Sequence, residues 1–128
     1  MCENECVHAP EYQRGVALFN AGQFFDAHEA LEDVWREAQG RRKLFLQALI
    51  QIAVGLHHHG RGNPAGARSL LARGGKKLAG YPAAYAGLDV ARLRRAVSRW
   101  EEALTAGRPA PPLPRLQRAA KTPLRPRR

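Results

Sequence analysis

The stretch that decides the fold is RKLFLQALIQIAVGLHHHGRGN, residues 42–63. Between residues 44 and 56, only two glutamines and one glycine interrupt the apolar side chains. A helix that is apolar on nearly every side must lie at the centre of a bundle. The apolar run is shorter than the roughly 20 residues that a membrane-spanning helix needs. It therefore predicts the buried central helix of a globular protein.

Four more helices are predicted around this one, because apolar residues recur at helical spacing on both sides of it. Asn63 and Asp89 are N-cap residues, and Gly107 is a typical residue after a helix end. No segment reads as a strand or hairpin, and two adjacent glycines at 74–75 weaken the fourth helix. We predict an all-α fold, a compact antiparallel bundle of about five helices at residues 10–21, 24–39, 42–60, 64–78 and 90–106.

The chain divides by composition into three parts. Residues 1–9 are predicted to be a flexible N-terminus, residues 10–107 a single helical domain, and residues 108–128 a basic tail rich in Pro and Arg. A sequence without acids and with many prolines does not form a core, so we expect the tail to be loosely docked or disordered. The first residues lack the apolar segment of a secretory signal, so we expect a cytoplasmic protein without a transmembrane segment.

Charge is distributed unevenly along the chain. Residues 1–40 hold eight acids and two bases, whereas residues 41–128 hold nineteen bases and three acids, which gives the net charge of +10. A basic second half suggests an acidic partner such as nucleic acid, an anionic membrane surface or another protein. The alternative is that Arg is simply the preferred surface cation of this chain. The same asymmetry permits self-association, so a homodimer is a second expected partner.

Two helices carry polar side chains within faces that should be buried. On a helical wheel, His28 and Glu32 fall among the apolar residues of the second helix. Gln47, Gln51 and His58 lie within ~40° of one another on the central helix. Because an unsatisfied buried polar group costs roughly 1–3 kcal/mol, we expect these two polar stripes to face each other and to form hydrogen bonds.

Three interpretations of the polar stripes are open. They form a structural hydrogen-bond network covered by Trp35, or a pocket for a small polar ligand, or a metal site with His28, Glu32 and His58 as ligands. Residues 57–59 are three consecutive histidines, which fan across ~200° of a helix and so cannot bind one ion together. We favour the structural network and expect no resident cofactor, with a divalent metal as the alternative.

Three blocks of sequence occur together and in order, and they resemble the small bacterial all-helical domain-of-unknown-function family number 309. The blocks are HEALEDVW at 28–35, LIQ at 49–51 and GNPAGA at 62–67, and the resemblance covers about residues 12–78. It implies a compact helical bundle and no established activity. The residues that match the family's motifs are His28, Glu29, Glu32, Trp35, Gln47, Gln51, Gly62, Asn63 and Ala67.

These observations favour a non-enzymatic binding or scaffold protein with a buried His/Glu/Gln network. The binding or structural residues would be His28, Glu29, Glu32, Trp35, Gln47, Gln51, His58 and Asn63. One alternative is a metal-dependent enzyme that uses His28, Glu32 and His58. Another is nucleic-acid binding through the basic C-terminal half, where an Arg-rich fifth helix precedes the tail.

Overall fold

The structure is a computed structural model that describes residues 9–120. This part of the chain contains five helices and one very short hairpin, so the predicted all-α class and helix order are confirmed. Residues 1–8 of the predicted flexible N-terminus and residues 121–128 of the tail lie outside the described residues. The elements are α1 (Pro10–Asn20), α2 (Phe24–Glu37), α3 (Gly40–Gly60), α4 (Pro64–Leu78), β1 (Ala84–Tyr85), β2 (Leu88–Asp89) and α5 (Val90–Ala106).

The central position predicted for α3 is confirmed. It packs against α2 on one side and α4 on another, and most of its apolar side chains are fully buried. One edge of the helix remains partly exposed to solvent along its length. None of the described helices combines the length and the apolarity that crossing a membrane requires.

Small residues bring α3 and α4 into close contact. A Cβ atom on Gly74 would lie 2.7 Å from Cγ1 of Ile52 and 3.0 Å from the carbonyl oxygen of Ala48. A Cβ on Gly55 would lie 3.3 Å from the carbonyl oxygen of Ala67. The weakness expected at Gly74 does not appear, because α4 runs without a break through this point. The absent side chain is what permits the close approach of the two helices.

The hairpin corrects the expectation that the chain forms none. Strands β1 and β2 pair Ala84 with Asp89 and Tyr85 with Leu88. The turn between them has positive φ at both central residues, 52° at Ala86 and 79° at Gly87. This geometry suits a two-residue hairpin turn, but an alanine seldom adopts it, so the turn is hard to predict from the residue types. The hydroxyl of Tyr12 donates a 2.6 Å hydrogen bond to the carbonyl oxygen of Ala86 and helps to fix the turn.

Aromatic contacts of Tyr81 and Tyr85 fix the segment that follows α4. Their rings lie 5.3 and 4.8 Å from that of Phe45, and the guanidinium of Arg41 lies 4.9 Å from the Tyr81 ring. The Tyr81 hydroxyl donates a 2.6 Å hydrogen bond to the backbone oxygen of Arg41. Burial, and then the neighbouring Tyr85, raises the pKa of Tyr81, although Arg41 opposes this change.

The described part of the tail is packed on the bundle. Asn20 of α1 bonds the backbone of Leu116 twice, donating to its carbonyl oxygen at 3.0 Å and accepting from its N–H at 2.7 Å. The indole of Trp100 donates to the carbonyl oxygen of Pro112 at 2.9 Å. Leu116 is 2% exposed and serves as the apolar anchor, whereas Leu113 is 52% exposed. Of the two expected states of the tail, docked or disordered, these contacts fit the docked one for residues 112–119.

Candidate functional site

Four of the eight site residues predicted from the sequence, His28, Glu32, Trp35 and Gln47, lie along the partly exposed surface where α2 packs against α3. On α2 the positions are 25, 28, 32 and 35, and on α3 they are 43, 47, 50, 54 and 57. Spacings of three and four residues keep each set on one side of its helix. Each is at least partly exposed. We call this surface the α2–α3 groove, and it is formed by Phe25, His28, Glu32 and Trp35 of α2 and by Lys43, Gln47, Ile50, Val54 and His57 of α3.

Contacts between the helices mark the two ends of the groove. At one end, the ring of Phe25 lies 5.4 Å from that of His57. At the other, the ammonium group of Lys43 lies 4.3 Å from the centre of the Trp35 ring. From residue 44 to residue 57, α3 rises by about 20 Å. The groove is therefore long enough to hold several turns of a helix.

Phe25 is the most exposed apolar side chain of the groove. It is 49% exposed, yet its ring lies between two imidazoles, 5.0 Å from His28 and 5.4 Å from His57. Nδ1 of His28 lies 2.8 Å from the Phe25 carbonyl oxygen, which orients that imidazole. The aromatic side chain thus contacts both imidazoles while about half of its surface remains exposed to solvent.

The outer side of α2 is acidic. The helix carries five acids and one base. The base, Arg36, forms ion pairs with Asp33 at 2.8 Å and with Glu32 at 3.6 Å, and Nε2 of His28 lies 3.8 Å from Glu32. Exposed pairs such as these contribute only about 0–1 kcal/mol each to stability. The acids outnumber the single base, so this side of the groove keeps a net negative charge.

The predicted arrangement of the polar stripes is wrong. Gln51 faces α4, where its Oε1 accepts a 3.1 Å hydrogen bond from the ammonium group of Lys77. Gln47 lies on the α2 side of the same exposed edge, and His58 lies beside His57 with their ring centres 6.2 Å apart. The polar residues of α3 therefore divide between two neighbours instead of facing α2 together. The network is partly exposed to solvent and not buried.

The three consecutive histidines point towards different helices, as their spacing predicts. His57 contacts Phe25 of α2, whereas His59 lies 4.8 Å from the ring of Trp100 of α5. Within residues 9–120, no three His, Cys, Asp or Glu side chains are grouped so that they could hold a metal ion. The structure thus does not assemble His28, Glu32 and His58 as a ligand set. Metal binding in solution stays a prediction that is untested.

The other predicted site residues have separate positions. Asn63 caps α4, with its Oδ1 accepting from the N–H of Gly66 at 3.0 Å, and so its role is local. Glu29 is exposed on the acidic side of α2. The indole nitrogen of Trp35 is buried and has no hydrogen-bond partner among residues 9–120.

Sequence reasoning missed five members of this surface, namely Phe25, Lys43, Ile50, Val54 and His57. Phe25 directly follows Phe24, but only Phe24 is buried. The spacing 25, 28, 32, 35 could have indicated a second, continuous strip beside the buried face. The sequence shows such a strip, but it does not show whether another helix covers it.

Comparison with known protein families gives a match, which covers the first part of the bundle. Residues 12–70 match the family model of DUF309, a domain of unknown function. The DUF309 match confirms the resemblance seen in the sequence. It runs from α1 into α4 and contains the whole α2–α3 groove, whereas α5 and the tail lie beyond it.

Two curated relatives share parts of this region. The chain is 46% identical over 50 residues to the uncharacterized protein YpuF of Bacillus subtilis, a stretch that covers 38% of this chain and 29% of YpuF. It is 30% identical over 77 residues to an uncharacterized protein of Aquifex aeolicus, covering 59% of this chain and 23% of that protein. The chain spans less than a third of either relative, so the activities of the whole relatives do not transfer to it.

Proposed function

We propose that the protein is a cytoplasmic, non-enzymatic binding domain whose α2–α3 groove receives a basic amphipathic helix of a partner protein. The observation that carries this proposal is Phe25, an aromatic side chain that is 49% exposed and held between two imidazole rings. Aromatic side chains that are fixed before binding are typical anchors of protein interfaces, because little conformational entropy is lost when the partner covers them.

The shape of the groove supports a helical partner. Partly exposed Ile50 and Val54 lie between the two ends of the groove, and they continue the apolar surface that begins at Phe25. A length of about 20 Å matches about 13 residues of α-helix. An amphipathic helix that lies in an apolar groove is a common mode of peptide recognition.

Charge supports a basic partner at this site. The acids of α2, including Glu29 and Glu32, line one side of the groove. A helix with Lys or Arg beside its apolar stripe would place those cations next to the acids, and such complementarity favours the correct partner. The acidic partner expected from the sequence would meet a different surface, that of α5 and the tail. The homodimer expected from the sequence stays a prediction.

The proposal can be tested with two fluorescent peptides of about 18 residues, one built from Leu and Lys and one from Leu and Glu with the same apolar stripe. The protein carries a net charge of +10, so long-range repulsion disfavours the Lys peptide. We expect fluorescence anisotropy nevertheless to show tighter binding of the Lys peptide. Phe25→Ala should weaken it about tenfold or more, as for an interface anchor. Glu29→Lys should reduce or reverse the preference between the two peptides.

Matched controls are available elsewhere on the surface. Leu113 is exposed to the same extent as Phe25 but lies on the tail, so Leu113→Ala should leave binding unchanged. Glu11 is an exposed acid of α1, and Glu11→Lys should have little effect. A failure of both peptides to bind would contradict the proposal. Equal losses in Phe25→Ala and Leu113→Ala would contradict it as well.

A further inference from the structure

The exposed surface of α5 is basic, and no ion pair with another residue of the described range 9–120 compensates its charge. Arg92, Arg94, Arg95 and Arg99 are exposed, and three of them, at positions 92, 95 and 99, share one side of the helix. None of the four forms an ion pair within residues 9–120, where all ion pairs lie on α2. These guanidinium groups therefore remain available to a ligand.

The tail is joined to the start of this helix. Leu88 forms a β-bridge with Arg118, and the N–H of Asp89 donates to the carbonyl oxygen of Gln117 at 2.8 Å. Asp89 also caps α5 by accepting from the N–H of Arg92 at 3.0 Å. Arg118 itself lines a cavity together with α1 residues such as Tyr12. The basic outer face of α5 therefore consists of the arginines of the helix, and the tail fixes its first turn.

The composition of the surface indicates which kind of polyanion it fits. Apart from the arginines, the exposed positions of α5 hold Ser98, Glu102, Thr105 and Ala106. No apolar side chain larger than alanine is exposed there. A protein interface normally has an apolar or aromatic anchor, and a helix that binds a membrane surface needs an apolar face. Neither feature is present, whereas guanidinium groups match phosphate oxygens in geometry and charge.

We propose that the outer face of α5 binds the phosphodiester backbone of nucleic acid without sequence specificity. From residue 92 to residue 99, the arginines span about 10 Å along the helix axis. Double-stranded DNA carries about six phosphate charges over that length. Because this surface lies beyond the residues that match DUF309, it is an addition to the function proposed for the groove and is independent of it.

The experiment uses the full-length protein and a labelled random-sequence duplex of about 20 base pairs, with affinity measured from 50 to 200 mM salt. Binding should weaken steeply as salt increases, since each neutralised phosphate contributes about −0.9 to the slope of log K against log salt. The triple variant Arg92→Gln, Arg95→Gln, Arg99→Gln should bind at least tenfold more weakly at 50 mM salt. Its slope should be shallower by about 2 to 3.

A control variant must lose the same charge at other exposed positions. The triple variant Arg14→Gln, Arg61→Gln, Arg73→Gln meets this condition, and it should retain affinity within about threefold with nearly the same slope. Equal effects of the two triple variants would overturn the proposal, because net charge alone would then explain binding. Tighter binding of polyglutamate or of anionic phospholipid vesicles than of the duplex would also overturn it, in favour of an acidic protein or a membrane surface.

Discussion

Helix α3 has two neighbours, and it meets them in opposite ways. Where α3 meets α4, glycine or alanine occupies several contact positions. Cβ atoms added to Gly55 or Gly74 would lie within 3.3 Å of backbone oxygens or of Ile52. Towards α2, the strip from Lys43 to His57 consists of large side chains that remain partly exposed. Side-chain size thus decides whether two antiparallel helices close tightly or leave a groove between them. The closed side supplies stability, and the open side is the surface that we propose for binding.

The largest expected difference in the free energy of unfolding is between alanine variants of two phenylalanines, one in the core and one in the groove. Phe45 is fully buried against Tyr81 and Tyr85, so Phe45→Ala should lower the free energy of unfolding by about 3–5 kcal/mol. Phe25→Ala removes the same atoms from the groove, where half the ring is already in water, and should cost less than about 1 kcal/mol. Urea unfolding of the two variants provides the measurement. Similar losses would show that Phe25 belongs to the core.

Two adjacent glycines test how tightly the closed side is packed. Gly74→Ala would place a methyl group against Ile52 and a backbone oxygen, and overpacking of this kind typically costs about 1–3 kcal/mol. Gly75→Ala meets the flexible carboxylate of Glu101 at 2.9 Å, which can move away, and Cγ1 of Val97 at 3.3 Å, where a small shift is enough. Alanine also has the higher helix propensity, so that change should be close to neutral or stabilising. Thermal unfolding that ranks Gly75→Ala as the more harmful substitution would contradict the assigned contacts.

Substitution of two glutamines should change the free energy of unfolding least. It tests where the α2 side of α3 ends and the α4 side begins. Gln51→Ala removes the acceptor of the Lys77 ammonium group and should cost about 0.5–1.5 kcal/mol. Gln47→Ala alters only the groove and should stay within about 0.5 kcal/mol of the wild type. In a double-mutant cycle with Lys77→Ala, coupling should appear for Gln51 and not for Gln47. Coupling of both would place them on the same side of α3.

The helices could be predicted because their signals are local. Asn63 and Asp89 cap α4 and α5 as expected, with Oδ1 accepting from the third following N–H in each case. Prolines at the start of α1 and α4 and the left-handed Gly107 after α5 define further ends. Each of these signals involves residues within about one helical turn of each other, so it can be recognised from a short stretch of sequence.

The candidate site could be predicted only in part, because burial depends on neighbouring helices. A helical wheel places Gln47 and Gln51 about 40° apart, but it does not show that the division between α2 and α4 passes between them. Nor does it show that residues 25 and 57 meet, since their contact depends on how far α2 and α3 overlap. The hairpin turn was missed because Ala86 adopts a backbone conformation that favours glycine. The packing of the tail depends on Asn20, which is 96 residues away from Leu116.

That distant pairing of Asn20 with Leu116 has a consequence for how the protein folds. Helices α1 to α4 each contact the next helix along the chain, and such local contacts form quickly. The tail instead needs α1, the hairpin and α5 to be in place before its hydrogen bonds can form. We therefore expect folding to proceed from the helical core outwards, with the tail docking last. In native-state hydrogen exchange, the amides of Leu116 and Ala119 should open with a lower free energy than those in the middle of α3.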